Sequence, residues 1–184
     1  MFNSIKSKAL LLVPPVVISV LLSSMALGYL IAIIFTIPLN FDFALPVQLV
    51  GLSVLVVGFL FFAWFFKYRK PIDVLISTYA TILKVRKGAV LKKPKGRTEL
   101  LVIKGPYKYV RHPLYFGVVL LVIGLWLLLD YTFLIVSAML LLLWFNFVVA
   151  SFEEKELKAM FGKQYEQYSK SVPKIIPFTK YHKK

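Results

Sequence analysis

All 23 lysines and arginines of this 184-residue chain fall outside its long apolar runs, and that pattern limits the fold more than any other feature. Residues 9–35 carry no charge for 27 positions, and residues 45–66 carry none for 22. Residues 114–152 are apolar apart from Asp130 and a few small polar side chains. A bilayer crossing takes about 20 residues, so this third run is long enough for two. Asp130, Tyr131 and Thr132 are the natural turn between them. The alternative, one long buried helix, would strand the Asp130 carboxylate in mid-bilayer at high cost. The predicted spans are therefore 9–35, 45–66, 114–129 and 132–152. Lys6 and Lys8 precede the first span, 13 basic residues lie from Lys67 to Arg111, and 8 lie from Lys155 to Lys184. The two remaining loops carry only Asp42 and Asp130. Four spans with both termini cytoplasmic place every cation on one side, as the positive-inside rule requires. An odd number of spans would break it.

The expected fold class is thus an all-α integral membrane protein, with one domain over residues 1–184. Its apolar fraction of 59% and mean hydropathy of +0.78 argue against a soluble domain of this size. The net charge of +15 reads as a topology and anionic-lipid signal. Nucleic acid is not an expected partner, because the basic residues flank membrane segments and form no domain of their own. The start of the chain has the look of a secretory leader. Its apolar run continues to Ile37, however, too long for a cleaved segment, and it reads as the first span. The expected location is a prokaryotic inner membrane. There is no cysteine, and the only histidines are His112 and His182. Thiolate chemistry and a His-rich metal site are therefore not expected, and no metal is assigned.

The segment from Lys67 to Arg111 is long for a plain connector. Residues 72–83 place apolar side chains at 72, 75, 76, 79, 82 and 83, the spacing of one helical face, between basic clusters. This predicts a short interfacial helix, either a connector or a wall of a lipid-facing site. Residues 88–96 read as a basic, turn-rich surface loop that touches lipid headgroups, and residues 100–103 as a short extended patch. A second interfacial helix is expected around 154–169, with a stripe of Leu157, Phe161, Tyr165 and Tyr168, a kink at Gly162 and Glu156 on its solvated face.

The chemistry concentrates at residues 105–117, Gly-Pro-Tyr-Lys-Tyr-Val-Arg-His-Pro-Leu-Tyr-Phe-Gly. Arg111, His112, Tyr107 and Tyr115 stand at the start of an apolar helix whose first residue suits Pro113, since the N–H that proline lacks has no partner there anyway. Gly117 suits close helix packing. Lys108 and Tyr109 are expected to face headgroups. The last span ends in Glu153 and Glu154. A cationic and aromatic cluster and a carboxylate pair thus meet at the ends of neighbouring helices, where ionisable groups are costly and usually functional.

Gly-Pro-Tyr-x-Tyr-x-Arg-His-Pro-x-Tyr-x-Gly is followed, after a helical hairpin, by Glu-Glu-x-x-Leu-x-x-x-Phe-Gly-x-x-Tyr-x-x-Tyr and Val-Pro-x-x-x-Pro. This ordered combination resembles the isoprenylcysteine carboxyl methyltransferase and phospholipid methyltransferase family. The resemblance covers about 73 residues, from Gly105 to Pro177; the first two spans match only in being apolar. It implies a membrane methyltransferase that uses S-adenosylmethionine and acts on a lipid or lipophilic acceptor at the cytoplasmic face. The cofactor region it implies is 98–117 together with 153–177. Carried over residue by residue, cofactor contacts fall on Leu100, Leu101 and Val102 through backbone, on Tyr107, on His112, Pro113, Leu114 and Tyr115, and on Glu153, with Glu154 beside it or in its place.

The residue types suit that cofactor. Arg111 or His112 can meet its carboxylate, unless Arg111 only anchors the helix end to lipid phosphate. Glu153 can accept from ribose hydroxyls or the ammonium. Tyr107 and Tyr115 can stack on adenine or face the sulfonium. In the prenylcysteine enzymes an arginine four residues before the cofactor glutamate binds the acceptor's carboxylate; here that position is Val149. Asn146, one turn earlier, either bonds between helices or faces the acceptor. The acceptor stays open among carboxylate, amine and thiol. Two other readings compete: a lipid-binding protein on the same scaffold without catalysis, and an NADPH-dependent membrane reductase. The second is weakened by the lack of a Gly-rich dinucleotide fingerprint.

Overall fold

The computed structural model describes residues 2–87 and 101–179, with side chains from 5 to 83 and from 101 to 179. Seven helices and no strand occur among them: α1 (Phe2–Ile34), α2 (Leu45–Tyr68), α3 (Pro71–Lys87), α4 (Pro113–Leu129), α5 (Thr132–Trp144), α6 (Ala150–Phe161) and α7 (Lys163–Ser171). A 3₁₀ turn at Gly105–Lys108 precedes α4, and a π turn at Phe145–Val149 joins α5 to α6. Three helical stretches are long and apolar enough to cross a bilayer: Ile5–Ile34, Leu45–Tyr68 and Thr132–Phe161. α4 is equally apolar but has 17 residues, about 25 Å of helix against a hydrocarbon core of about 30 Å.

The apolar runs become antiparallel helices in the spatial order α2, α4, α5, α1, with α3 packed on α1. Glycines set the spacing. A Cβ at Gly51 of α2 would lie 2.5 Å from the backbone nitrogen of Leu128 on α4. One at Gly28 of α1 would lie 2.6 Å from the carbonyl oxygen of Phe133 on α5. Lipid gives little hydrophobic drive for helix association, so such close approach supplies the packing. Gly117 has the packing role expected of it, with the Phe62 ring 2.9 Å from its would-be Cβ. Outward-facing side chains such as Leu11 (74% exposed) and Leu60 (64%) form a wide apolar surface of the kind lipid covers.

The turn expected at Asp130 is present, and its carboxylate has a structural use. Asp130 closes α4 in a left-handed conformation (φ 60°). Its Oδ2 accepts the backbone N–H groups of Phe41 and Phe43, at 3.0 and 2.8 Å. Thr132 donates its N–H to the Leu39 carbonyl at 2.9 Å and its hydroxyl to the Pro38 carbonyl. The α4–α5 turn is therefore pinned to the α1–α2 loop. At the opposite end of the array lie the close of α2, the start of α4 and the α5–α6 junction. The core there is Phe145, Ala150 and Ile175 stacked on Val119, Val122, Ala138 and Leu141.

Two expectations change. Residues 154–169 are not one helix: 154–161 continue the α5–α6 rod, and a break at Gly162 (φ 52°) starts α7. The cause is the glycine, whose backbone there suits few L residues. Glu156, expected on a solvated face, is 8% exposed, because the rod extends past the site and its inner face is covered. α3 spans the helix expected at 72–83. The expected loop at 88–96, Leu100 and His182 lie outside the described residues.

Candidate functional site

The site is assembled at the start of α4 from four pieces of chain. Gly105 opens the 3₁₀ turn at φ +60°, with the Tyr68 ring closing over it. That turn buries Tyr107, and Tyr168 of α7 donates its hydroxyl to the Tyr107 carbonyl at 2.6 Å. The chain after α7 then runs alongside the motif. The N–H of Arg111 donates to the Pro173 carbonyl at 2.9 Å, and that of His112 to the Lys174 carbonyl at 3.0 Å. His112 is 6% exposed and immediately precedes Pro113, which starts α4 as expected.

Glu153 and Glu154, adjacent in sequence, have different partners. Glu153 Oε1 accepts the Tyr115 hydroxyl at 2.7 Å, and its Oε2 lies 3.2 Å from His112 Nδ1. Glu154 Oε1 lies 3.0 Å from Arg111 Nη2 and 3.5 Å from His112 Nε2. The second distance fits an ion pair rather than an aligned hydrogen bond, and His112 Nε2 and Arg111 Nε find no hydrogen-bond partner among the described residues. Arg111, His112 and the two carboxylates thus interlock, with Glu154 as the clamp on Arg111.

Burial by itself would lower the His112 pKa. The hydrogen bond with Glu153 and the charge of Glu154 outweigh it, so the imidazole titrates above its ordinary value. A raised folded-state pKa contributes stability in full below the unfolded value of about 6.5, and that stability is lost as pH rises through the folded value. Thermal stability in detergent is therefore expected to decline above about pH 6.5, and His112→Gln to flatten that decline. Equal slopes in the two proteins would show that His112 stays neutral. Burial also raises the hydroxyls of Tyr107, Tyr165 and Tyr168, which keeps them as neutral donors.

Three rings stack in register across the site. Tyr115 lies parallel to His112 (centroids 5.5 Å, 13° between planes) and to Phe145 (4.6 Å, 13°). Phe145 was not visible as a site residue in the sequence. In an unbroken α-helix Asn146 and Val149 would precede Glu153 on its own face. The π turn adds about one residue to one helical turn, which brings Phe145 behind Tyr115 instead. Val149 packs against the apolar core, and the Asn146 side-chain amide makes no hydrogen bond to a described residue. On the α2 side, Arg69 Nη1 reaches the Tyr107 hydroxyl at 3.5 Å.

Pro113 is buried and Leu114 half-buried at the start of α4. Leu101, with Ile103, Gln164, Gln167, Tyr168 and Ser171, lines a cleft of about 280 Å³, while Val102 is exposed. A neighbouring cleft of about 420 Å³ runs between Ile103, Tyr109, Tyr168 and Val172. Neither cleft is lined by His112 or Glu153, so these two spaces lie apart from that pair. Tyr168 joins them, lining both clefts and bonding to Tyr107.

The profile of phospholipid methyltransferases matches residues 47–164, from the start of α2 into α7. The chain belongs to the phospholipid methyltransferase family. It is 38% identical over 89 residues to the protein-S-isoprenylcysteine O-methyltransferase of Schizosaccharomyces pombe, a stretch that covers 48% of this chain and 37% of that protein. It is also 38% identical over 72 residues to the methanethiol S-methyltransferase of Crocosphaera subtropica, covering 39% of this chain and 27% of that one. The chain thus matches only about a third of the length of these curated relatives. No solved structure matches it. The family match includes Tyr107, His112, Tyr115, Glu153 and Glu154, so the interlocked cluster lies inside the methyltransferase region.

Proposed function

We propose that this protein transfers a methyl group from S-adenosylmethionine to a lipophilic or membrane-embedded acceptor at the cytoplasmic face of a membrane. The observation that carries the reading is the Glu153–His112–Tyr115 junction inside the family-matched region. The chain acts as one domain with four spans and both termini cytoplasmic. The antiparallel order of α1, α2, α4 and α5 supports this, as does the clustering of Lys and Arg around the end that holds the site.

The residues suit such a cofactor. Glu153 has one lone pair free on each oxygen after its bonds to Tyr115 and His112, enough to accept ribose hydroxyls or an ammonium. Arg111, paired with Glu154 through Nη2, keeps a buried Nε with no hydrogen-bond partner among the described residues, a donor suited to an anionic group. Leu101 and Val102 offer backbone groups along the approach to the turn. Bound S-adenosylmethionine supplies an activated methyl group on a sulfonium. The protein has to hold donor and acceptor in line and exclude water, which the ring stack and apolar core favour. A carboxylate or thiolate acceptor needs no further activation, and an amine needs only to be unprotonated. Val149 is apolar and supplies no cation of its own, which favours an acceptor held by its hydrophobic part.

Calorimetry in detergent with S-adenosylhomocysteine and, separately, NADPH tests the reading. S-adenosylhomocysteine is expected to bind and NADPH not to. No binding of S-adenosylhomocysteine would overturn the proposal. If it binds, labelled methyl transfer into a total lipid extract should follow; binding without transfer would identify a non-catalytic lipid-binding protein.

A further inference from the structure

We propose that Lys174 is a positioning residue that holds the Glu153–His112 pair in register. The inference rests on the reading above for its functional meaning, but its structural part stands alone. Lys174 is a lysine in a loop near the end of the chain, where a solvated ammonium is the ordinary outcome. Here the ammonium turns inward. Nζ donates to the Asn146 carbonyl at 2.5 Å and to the Ser151 hydroxyl oxygen at 2.8 Å. Ser151 in turn donates its hydroxyl to the same Asn146 carbonyl at 3.0 Å. The main-chain carbonyl of Lys174 accepts the His112 N–H at 3.0 Å. Its neighbours are anchored, with Val172 5% and Ile175 2% exposed, so the loop cannot easily lift away.

One residue therefore ties the π turn, the first turn of α6 and the residue that precedes α4. The Asn146 carbonyl lies within the π turn, where the regular i→i+4 ladder is broken, and the Lys174 and Ser151 side chains serve it. The π turn fixes which side chain falls behind Tyr115. Relaxation to a regular helix would drop the extra residue and rotate α6 against α5 by about 100°. Phe145 and Glu153 could not then both keep their contacts with Tyr115. Lys174, at an unspecified position of the Val-Pro-x-x-x-Pro segment, thus sets the register in which Glu153 meets His112.

Three forms of the full chain in detergent test this: wild type, Lys174→Met and Lys174→Arg. The first measurement is amide hydrogen exchange over residues 145–155 and needs no cofactor. Lys174→Met is expected to speed exchange there, and Lys174→Arg to restore it. The second is affinity for S-adenosylhomocysteine in the folded fraction, expected to fall about tenfold or more in Lys174→Met and to recover in Lys174→Arg. A purely structural lysine would lower the melting temperature and leave that affinity unchanged. Unchanged exchange in Lys174→Met overturns the staple. Faster exchange with unchanged affinity overturns the positioning role. Should Lys174→Met fail to fold, Ser151→Ala removes one partner of the same ammonium and is expected to give a smaller change of the same kind; none in either measurement would overturn the proposal. Failure of the wild type to bind S-adenosylhomocysteine would sink the proposed function, while exchange would still decide the staple.

Discussion

Glu153→Gln is expected to weaken binding of S-adenosylhomocysteine by about 10- to 100-fold while leaving the protein folded. The carboxylate takes a hydroxyl hydrogen on one oxygen and faces an imidazole nitrogen with the other. Glutamine keeps one acceptor and replaces the other with an NH₂ group, so a donor would face Tyr115 or His112. The substitution also removes the charge that helps raise the His112 pKa. Hydrogen bonds to charged groups contribute about 1.5–3 kcal/mol, which sets the fold-change given. His112→Ala should act in the same direction. The two residues share a contact, so the double variant should lose less than the sum of the singles. Calorimetry on all three variants checks this. Unchanged affinity in both single variants would put the cofactor somewhere else, and fully additive losses would mean that Glu153 and His112 act separately.

Much of the membrane framework was legible because bilayer physics is strict. Charge cost and span length located α2 and α4 to within two residues and placed the hairpin turn at Asp130. The use of that carboxylate was not legible, because Phe41 and Phe43, whose N–H groups it accepts, are nearly ninety positions away. The motif brought Arg111, His112, Tyr115 and the glutamates together correctly, but composition could not divide the work between Glu153 and Glu154. That division follows from which carboxylate faces Tyr115 and which faces Arg111. The π turn left no periodic signature. Phe145 to Val149 reads as ordinary helix, and what distinguishes it is the Ala150 N–H bonded to the Phe145 carbonyl, with Lys174 and Ser151 on the Asn146 carbonyl. Gly162 was visible as a weak point, yet whether it kinks one helix or separates two depends on a backbone conformation no pattern reports.

Gly105→Ala is expected to cost about 2–5 kcal/mol of stability and to weaken S-adenosylhomocysteine binding with it. Two independent effects combine. At φ +60° an L residue meets a penalty of about 1–2 kcal/mol that glycine escapes. The added Cβ would also lie 2.5 Å from two carbons of the Tyr68 ring and 2.8 Å from its Cγ. Contact so near the root of the ring means that Tyr68 must swing as a whole or the 3₁₀ turn must move. The turn carries Tyr107, whose ring packs on Phe65 at 6.0 Å and whose carbonyl holds Tyr168. Displacement would thus reach the motif and α7 together. Tyr68→Ala in the same chain separates the two effects. It should recover the steric part, since Tyr68 is 40% exposed and leaves no large buried cavity, but not the backbone part. Thermal unfolding of the single and double variants measures both. A Gly105→Ala protein as stable as wild type would mean that the turn does not need its left-handed residue, and full recovery in the double variant would assign the whole cost to the Tyr68 ring.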